Sequence, residues 1–286
     1  MAVVLSLSLA CGSSDQEHDL ADTPNQQPLS VVTTTALLAD LVKNVGGDLV
    51  SVTALVPPGA DVHSFQTTPA NNVAIDRAAM VVSNGGGLDR FLDQVIQRSK
   101  SDGTVHILAA KALLELDDED PHFWQNPVFA VRYVESIRDG LIAVDPTNTD
   151  DYQVNFTEYK DRLTKLDFDI AKTLNAVDPT RRHLITFHDA FGHLAKRYGW
   201  QVTSLVGSDA SQVSPGPVVE ILEKIREQGL TAVFAEPQFN SDLLEKAAEE
   251  AGVEIGPIYS DVQDGEVANY ISMMLFNAKS LARLLR

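Results

Sequence analysis

The sequence predicts an α/β protein of two lobes, each a mostly parallel β-sheet flanked by helices, joined by one long rigid backbone helix. Two separate series of short β-rich apolar runs, alternating with helix-length segments, predict the lobes. A single apolar stripe at helical period between the two series predicts the connector. A chain of 286 residues also exceeds the size at which one hydrophobic core keeps growing, so two domains are the default.

Taken in order, Met1 to Ala10 is an apolar stretch too short to span a bilayer, followed by Cys11 and the small residues Gly12-Ser13-Ser14. That order resembles a bacterial lipoprotein signal, with Cys11 as the acylated first residue of the mature chain. The head carries no basic residue, and Ser8 stands where such signals usually place Leu, Val or Ile; a start codon further upstream would explain the short head. Residues 12–28 lack apolar periodicity and read as a flexible tether, so residues 1–28 form one signal-and-tether segment. No other stretch approaches the roughly 20 apolar residues of a spanning helix, and the remainder is expected to be soluble.

Val31 to Thr35, Val50 to Val56, Met80 to Ser83 and Val105 to Leu108 read as buried parallel strands, separated by helical segments such as Thr35 to Val45 and Leu88 to Ser99. They define a first lobe over 29–146. Tyr152, Phe156, Tyr159, Leu163, Leu166, Ile170, Leu174 and Val177 then recur every three or four residues, bracketed by Pro146 and Pro179. A helix of about 30 residues would run roughly 45 Å at 1.5 Å per residue, so 147–178 predicts a stiff connector. A coiled-coil dimerisation helix is the alternative, disfavoured because the stripe is short and solitary. Leu184 to Phe187, Val202 to Leu205, Ala232 to Ala235 and Ile255 to Tyr259 give the second lobe over 179–286, with helices at Val218 to Gln228 and Asp242 to Ala251; Gly252 marks a left-handed C-terminal cap.

Composition narrows the function. With 22 basic and 40 acidic residues the net charge is −18, which repels phosphate backbones and argues against nucleic acid as a partner, while concentrating cations. Cys11 is the only cysteine, so neither an intrachain disulfide nor a cysteine-based zinc cluster can form.

Seven histidines remain as candidates for metal or catalytic chemistry. His18 lies in the tether, His106 inside a strand-like run, and His183 beside Arg181 and Arg182 at the start of a strand; these read as structural. His63, His122 and His188 each lie just beyond a predicted strand or in a long loop, where the ligand crevice of an open α/β sheet forms. Three sequence-distant imidazoles converging on strand ends is what a zinc site without cysteine needs. An oxygen ligand would come from Asp261 or Glu236, each just after a strand of the second lobe. His193 lies five residues from His188 and cannot pair with it at the four-residue spacing of zinc proteases. No His-Glu-x-x-His, Gly-x-Ser-x-Gly or Walker A motif occurs.

Seven ordered segments then match one family: the Pro-rich loop through His63-Ser64-Phe65, Ala78 to Leu88, Asp120 to Pro127 (DPHFWQNP), Asp145 to Asn148, His188 to Trp200 (HDAFGHLAKRYGW), Phe234 to Gln238 (FAEPQ) and Tyr259 to Asp261. From about Ser30 to Arg286 the chain resembles the zinc- and manganese-type (cluster A-I) solute-binding proteins of bacterial ABC importers, the zinc type above all. The resemblance implies metal bound between the lobes by His63, His122, His188 and Asp261, with Glu236 as a neighbouring acceptor orienting a histidine. It implies no enzymatic activity, a permease with its cytoplasmic ATPase as partners, and an extracytoplasmic location held to the membrane through the lipid anchor only. Manganese-type members carry Glu where His188 stands; three nitrogens and one oxygen favour Zn2+ as the transported ligand, with Mn2+ the alternative. Val62 departs from the proline or acidic residue that often precedes the first histidine. In place of the His-rich loop of many zinc-type members the chain has only Glu115 to Asp120, read as a solvated loop. The rivals are a metallohydrolase using the same three histidines with Asp261 or Glu236 as general base, and an adhesin holding the metal structurally.

Overall fold

The computed structural model describes residues 27–92, 95, 104–116, 120–207 and 215–285. Cys11, His18 and the tether up to residue 26 lie outside the described residues, as do 117–119 of the acidic run and most of the second half of the expected 88–99 helix. What is described of that last segment includes a single turn at Arg90–Leu92.

Each lobe is a four-stranded parallel sheet. In the first, β1 (Leu29–Thr33), β2 (Val50–Ala54), β3 (Met80–Ser83) and β4 (Val105–Leu108) lie in the order β2-β1-β3-β4. In the second, β5 (His183–His188), β6 (Gln201–Val206), β7 (Ala232–Ala235) and β8 (Glu254–Pro257) repeat it as β6-β5-β7-β8. Strands covered on both faces read as continuous apolar runs, and β3 and β5 are buried at every residue. The order reverses beside the first strand of each sheet, so crevices open at the carboxyl ends, where ligands of such sheets bind.

The first-lobe helices are α1 (Ala36–Gly46), α2 (Pro69–Arg77) and α3 (Pro127–Val144). Thr35 caps α1 through its hydroxyl, and Thr68 with Asn71 forms a capping box ahead of α2. The connector is α4 (Thr149–Leu174), 26 residues long and about 39 Å at 1.5 Å per residue, with Asp150 and Asp151 in its first turn. All seven helical members of its stripe are buried, and Val177 just beyond is buried too. In the second lobe lie α5 (Gly192–Tyr198), α6 (Pro215–Gln228), α7 (Asp242–Ala251) and α8 (Tyr270–Leu284). Gly252 closes α7 at φ 68°, the left-handed conformation its position called for.

Two long helices, α3 and α8, were not among the elements assigned from sequence. Both pack on α4, whose stripe they cover together with α1. One buried cluster therefore runs from Val31 and Met80 of the first sheet through Tyr159 and Leu163 of α4 to Leu184 and Phe234 of the second sheet and Tyr270 of α8. Parting the lobes would expose this shared apolar surface to water, at a cost of roughly 25 cal/mol per Å2, which opposes their separation. Polar contacts also cross the divide. The Trp124 indole donates to the Ser260 carbonyl at 2.7 Å, the Tyr270 hydroxyl to the Trp124 carbonyl at 2.6 Å, and the Tyr270 amide to Asp40 at 2.9 Å. Among the described residues no helix is long and apolar enough to cross a membrane.

Candidate metal centre

The segments that follow β2, β4, β7 and β8, and the last residue of β5, each bring one polar group to the lobe divide. After β2 the chain turns through Pro57-Pro58-Gly59, with Gly59 at φ 76°, and the Asp61 carboxylate accepts the His63 amide at 2.9 Å, fixing a tight turn that presents the ring. His122 follows β4 by way of the acidic loop, His188 is the last residue of β5, and Glu236 follows β7 directly. Asp261 lies just past β8.

The three imidazoles meet. Ring centroids of His63 and His122, and of His63 and His188, are 5.6 Å apart, and those of His122 and His188 are 5.3 Å apart. One nitrogen from each lies within 4.8 Å of the other two. Their common cavity, about 20 Å3, is also lined by Asp261, Gln238 and Thr35. That is room for one water-sized body and no more. Larger hollows lie elsewhere, one of about 290 Å3 between α3 and α4 against Val131, Phe156 and Leu163, but an ion is selected by its donors and not by volume.

The interior pair is held by carboxylates. His188 Nδ1 donates to Glu236 Oε1 at 2.6 Å, with Glu236 wholly buried and its other oxygen accepting from Gln238 at 3.3 Å. His122 Nδ1 donates to Asp120 Oδ1 at 2.7 Å, and the same oxygen accepts the His122 amide at 2.9 Å. Carboxylates only accept, so each bond places the proton on Nδ1 and leaves the lone pair on Nε2. His122 Nε2 is buried with no hydrogen-bond partner, a costly arrangement unless something else takes the lone pair. Burial lowers the His122 pKa, outweighing the Asp120 carboxylate that works to raise it, so the ring stays neutral and able to ligate. Asp261 accepts the Val262 amide at 2.7 Å, yet burial still pushes its carboxyl up to about 7, and a cation beside it would offset that penalty.

The other described histidines, His106, His183 and His193, are placed apart from the trio. His106 Nε2 bonds the Ser83 hydroxyl at 2.7 Å, and His183 is tied to Gln228 and Thr203. His188 and His193 prove to be on different elements, strand and helix, and His193 Nε2 bonds the Asp120 carbonyl at 3.0 Å. Sequence reasoning missed Asp120 as a partner of His122. The available signal was its place two residues ahead, the spacing at which an Asp side chain reaches a following amide.

Two parallel-sheet lobes closed around a trio of imidazoles, with room for a single ion, define a metal-binding substrate-binding protein of ABC transporters. The chain belongs to the family described as zinc-uptake complex component A, periplasmic (ZnuA), whose pattern it matches over residues 31–284. It is 28% identical over 292 residues to the iron-binding protein YfeA of Yersinia pestis, covering 98% of this chain and 93% of that one. To the manganese ABC transporter substrate-binding lipoprotein PsaA of Streptococcus pneumoniae it is 28% identical over 298 residues, with 96% and 93% covered. Among solved structures it resembles the periplasmic zinc-binding protein TroA from Treponema pallidum, at TM-score 0.84 and 26% identity over 90% of this chain and 99% of that one.

Proposed function

We propose that the protein captures Zn2+ outside the cytoplasm and hands it to the permease of an ABC importer driven by a cytoplasmic ATPase. His63, His122 and His188 are the nitrogen ligands and Asp261 the oxygen ligand, with Glu236 orienting His188. The observation that carries this reading is the convergence of three nitrogens within 4.8 Å, one of them His122 Nε2 buried without a partner. Three imidazoles and one carboxylate suit zinc better than the harder manganese. Manganese is the second reading, favoured by the manganese-binding relative, as iron is by YfeA. A cavity of about 20 Å3 favours a carried ion over a metallohydrolase, whose substrate would need a pocket of hundreds of Å3 beside the metal.

The proposed division of the chain is a signal and tether over 1–28, lobes over 29–146 and 179–286, and a connector over 147–178. Cys11 is proposed to carry the lipid that keeps the protein at the membrane, an assignment supported by the lipoprotein relatives. Replacing Cys11 with Ser should leave metal affinity unchanged and free the protein from the membrane fraction; continued retention would refute the anchor.

Elemental analysis of protein purified without added metal, followed by competition against a chelating dye, tests the cargo. Zinc at one equivalent per chain, held more tightly than manganese, is the expected result. Manganese in its place would overturn the zinc assignment, and no divalent metal bound at all would overturn the function.

A further inference from the structure

Each of the two interior histidines has its own carboxylate partner at Nδ1, Asp120 for His122 and Glu236 for His188, and the two are supported differently. Glu236 sits directly after a buried strand of its own lobe. Asp120 sits at the end of a loop of the first lobe and is met from the second. His193 on α5 approaches the Asp120 carbonyl with Nε2 at 3.0 Å, and because a carbonyl only accepts, His193 is the donor. The same nitrogen lies 3.8 Å from Asp120 Oδ2. His193 is buried and stacked on Phe123 at 4.6 Å between ring centroids, so its pose is set by packing. Gly192 leaves the room: a Cβ there would stand 2.9 Å from Asp120 Oδ2. The chain of contacts runs from a helix of the second lobe, through the Asp120 backbone and carboxylate, to the imidazole of His122.

We propose that Asp120 and His193 are positioning residues for the metal, with Asp120 holding His122 so that Nε2 faces the cation and His193 holding Asp120 from the opposite lobe. The first lobe's inner ligand is then aimed correctly only while the second lobe is in place. Movement between the lobes would withdraw His188 and Asp261 and at the same time release the aim of His122. This inference rests on the metal-binding reading given above.

The test measures zinc affinity by dye competition, together with the visible spectrum of the Co2+-loaded protein, which reports ligand geometry, and the melting midpoint of the metal-free protein. Asp120→Ala should weaken zinc roughly ten- to hundredfold, the usual cost of losing a partner that orients a ligand, and change the cobalt bands. His193→Phe, which keeps the stack but not the donor, should act in the same direction. His193→Gln, which restores a donor near Nε2, should recover affinity and spectrum toward the parent, a rescue that a purely packing role would not produce. Asp120→Ala within about threefold of the parent with unaltered cobalt bands, while His122→Ala abolishes binding, would overturn the relay and leave the metal reading standing. Binding unaffected by His122→Ala would overturn both. Should His193→Phe fail to fold, His193→Met, which also lacks a donor, takes its place, and parent-like affinity with unaltered cobalt bands in it would overturn the part given to His193.

Discussion

The lobes bring their histidines to the divide by different means. In the second, His188 ends a fully buried strand, is paired in register with Val206, and leans on a carboxylate that follows the neighbouring strand. In the first, both histidines sit on loops well beyond their strands, and His63 is the one member of the trio with appreciable exposure. On the reading proposed above, the second lobe supplies the more firmly seated half of the site, and His63, the exposed histidine of the first lobe, supplies the member most able to adjust.

The contrast can be broken at several depths. The largest effect is expected where the halves share a core: Leu163→Ala should cost about 2–5 kcal/mol and lower a single melting transition. Two transitions in that variant would show that the lobes unfold independently. Next, His122→Ala and His188→Ala should each weaken zinc more than about a hundredfold, beyond the ten- to hundredfold lost with an orienting partner. His63→Ala should fall short of both, and an equal loss at His63 would contradict its place as the adjustable member of the trio. Glu236→Gln should cost roughly ten- to hundredfold in affinity, because an amide can present either a donor or an acceptor to Nδ1.

The smallest effect concerns how the connector grips the second lobe. Asp167 on α4 accepts from Arg197 Nε at 2.9 Å and from the Tyr198 hydroxyl at 2.9 Å. Burial works to raise the Asp167 pKa, but these bonds outweigh it and hold the carboxyl below its usual range. A carboxyl depressed in the fold stabilises above its unfolded value and loses that contribution as pH falls through the folded one. Arg197→Ala should therefore cost under about 1 kcal/mol at neutral pH, given the partial exposure of the arginine. The deficit should be constant above about pH 4 and shrink below it, as melting curves over a pH series would reveal.

The sequence made the connector legible because its stripe alternates cleanly with charged residues over the whole helix. The buried strands were legible as β-branched runs such as Met80 to Ser83. The helix α8 was as legible as the connector, since Tyr270 to Leu284 has a comparable helical period and Asn269 with Ser272 forms a capping box at its start; the signal was overlooked. The start of α3 was masked by the loop-like Asp120 to Pro127, although Asn126 and Pro127 are an ordinary cap and first residue. The histidine trio could be singled out because strand ends of such sheets gather in one place, a rule of topology. Which nitrogen each ring would present could not, since that depends on Asp120 and Glu236 arriving at Nδ1 from turns and neighbouring strands.

The tightness of the cavity has a chemical consequence. With about 20 Å3 beside the three rings, a divalent ion held by the proposed ligands would have to give up its hydration shell. Magnesium dehydrates reluctantly and gains little from imidazole nitrogen, so the proposed site would disfavour it on both counts.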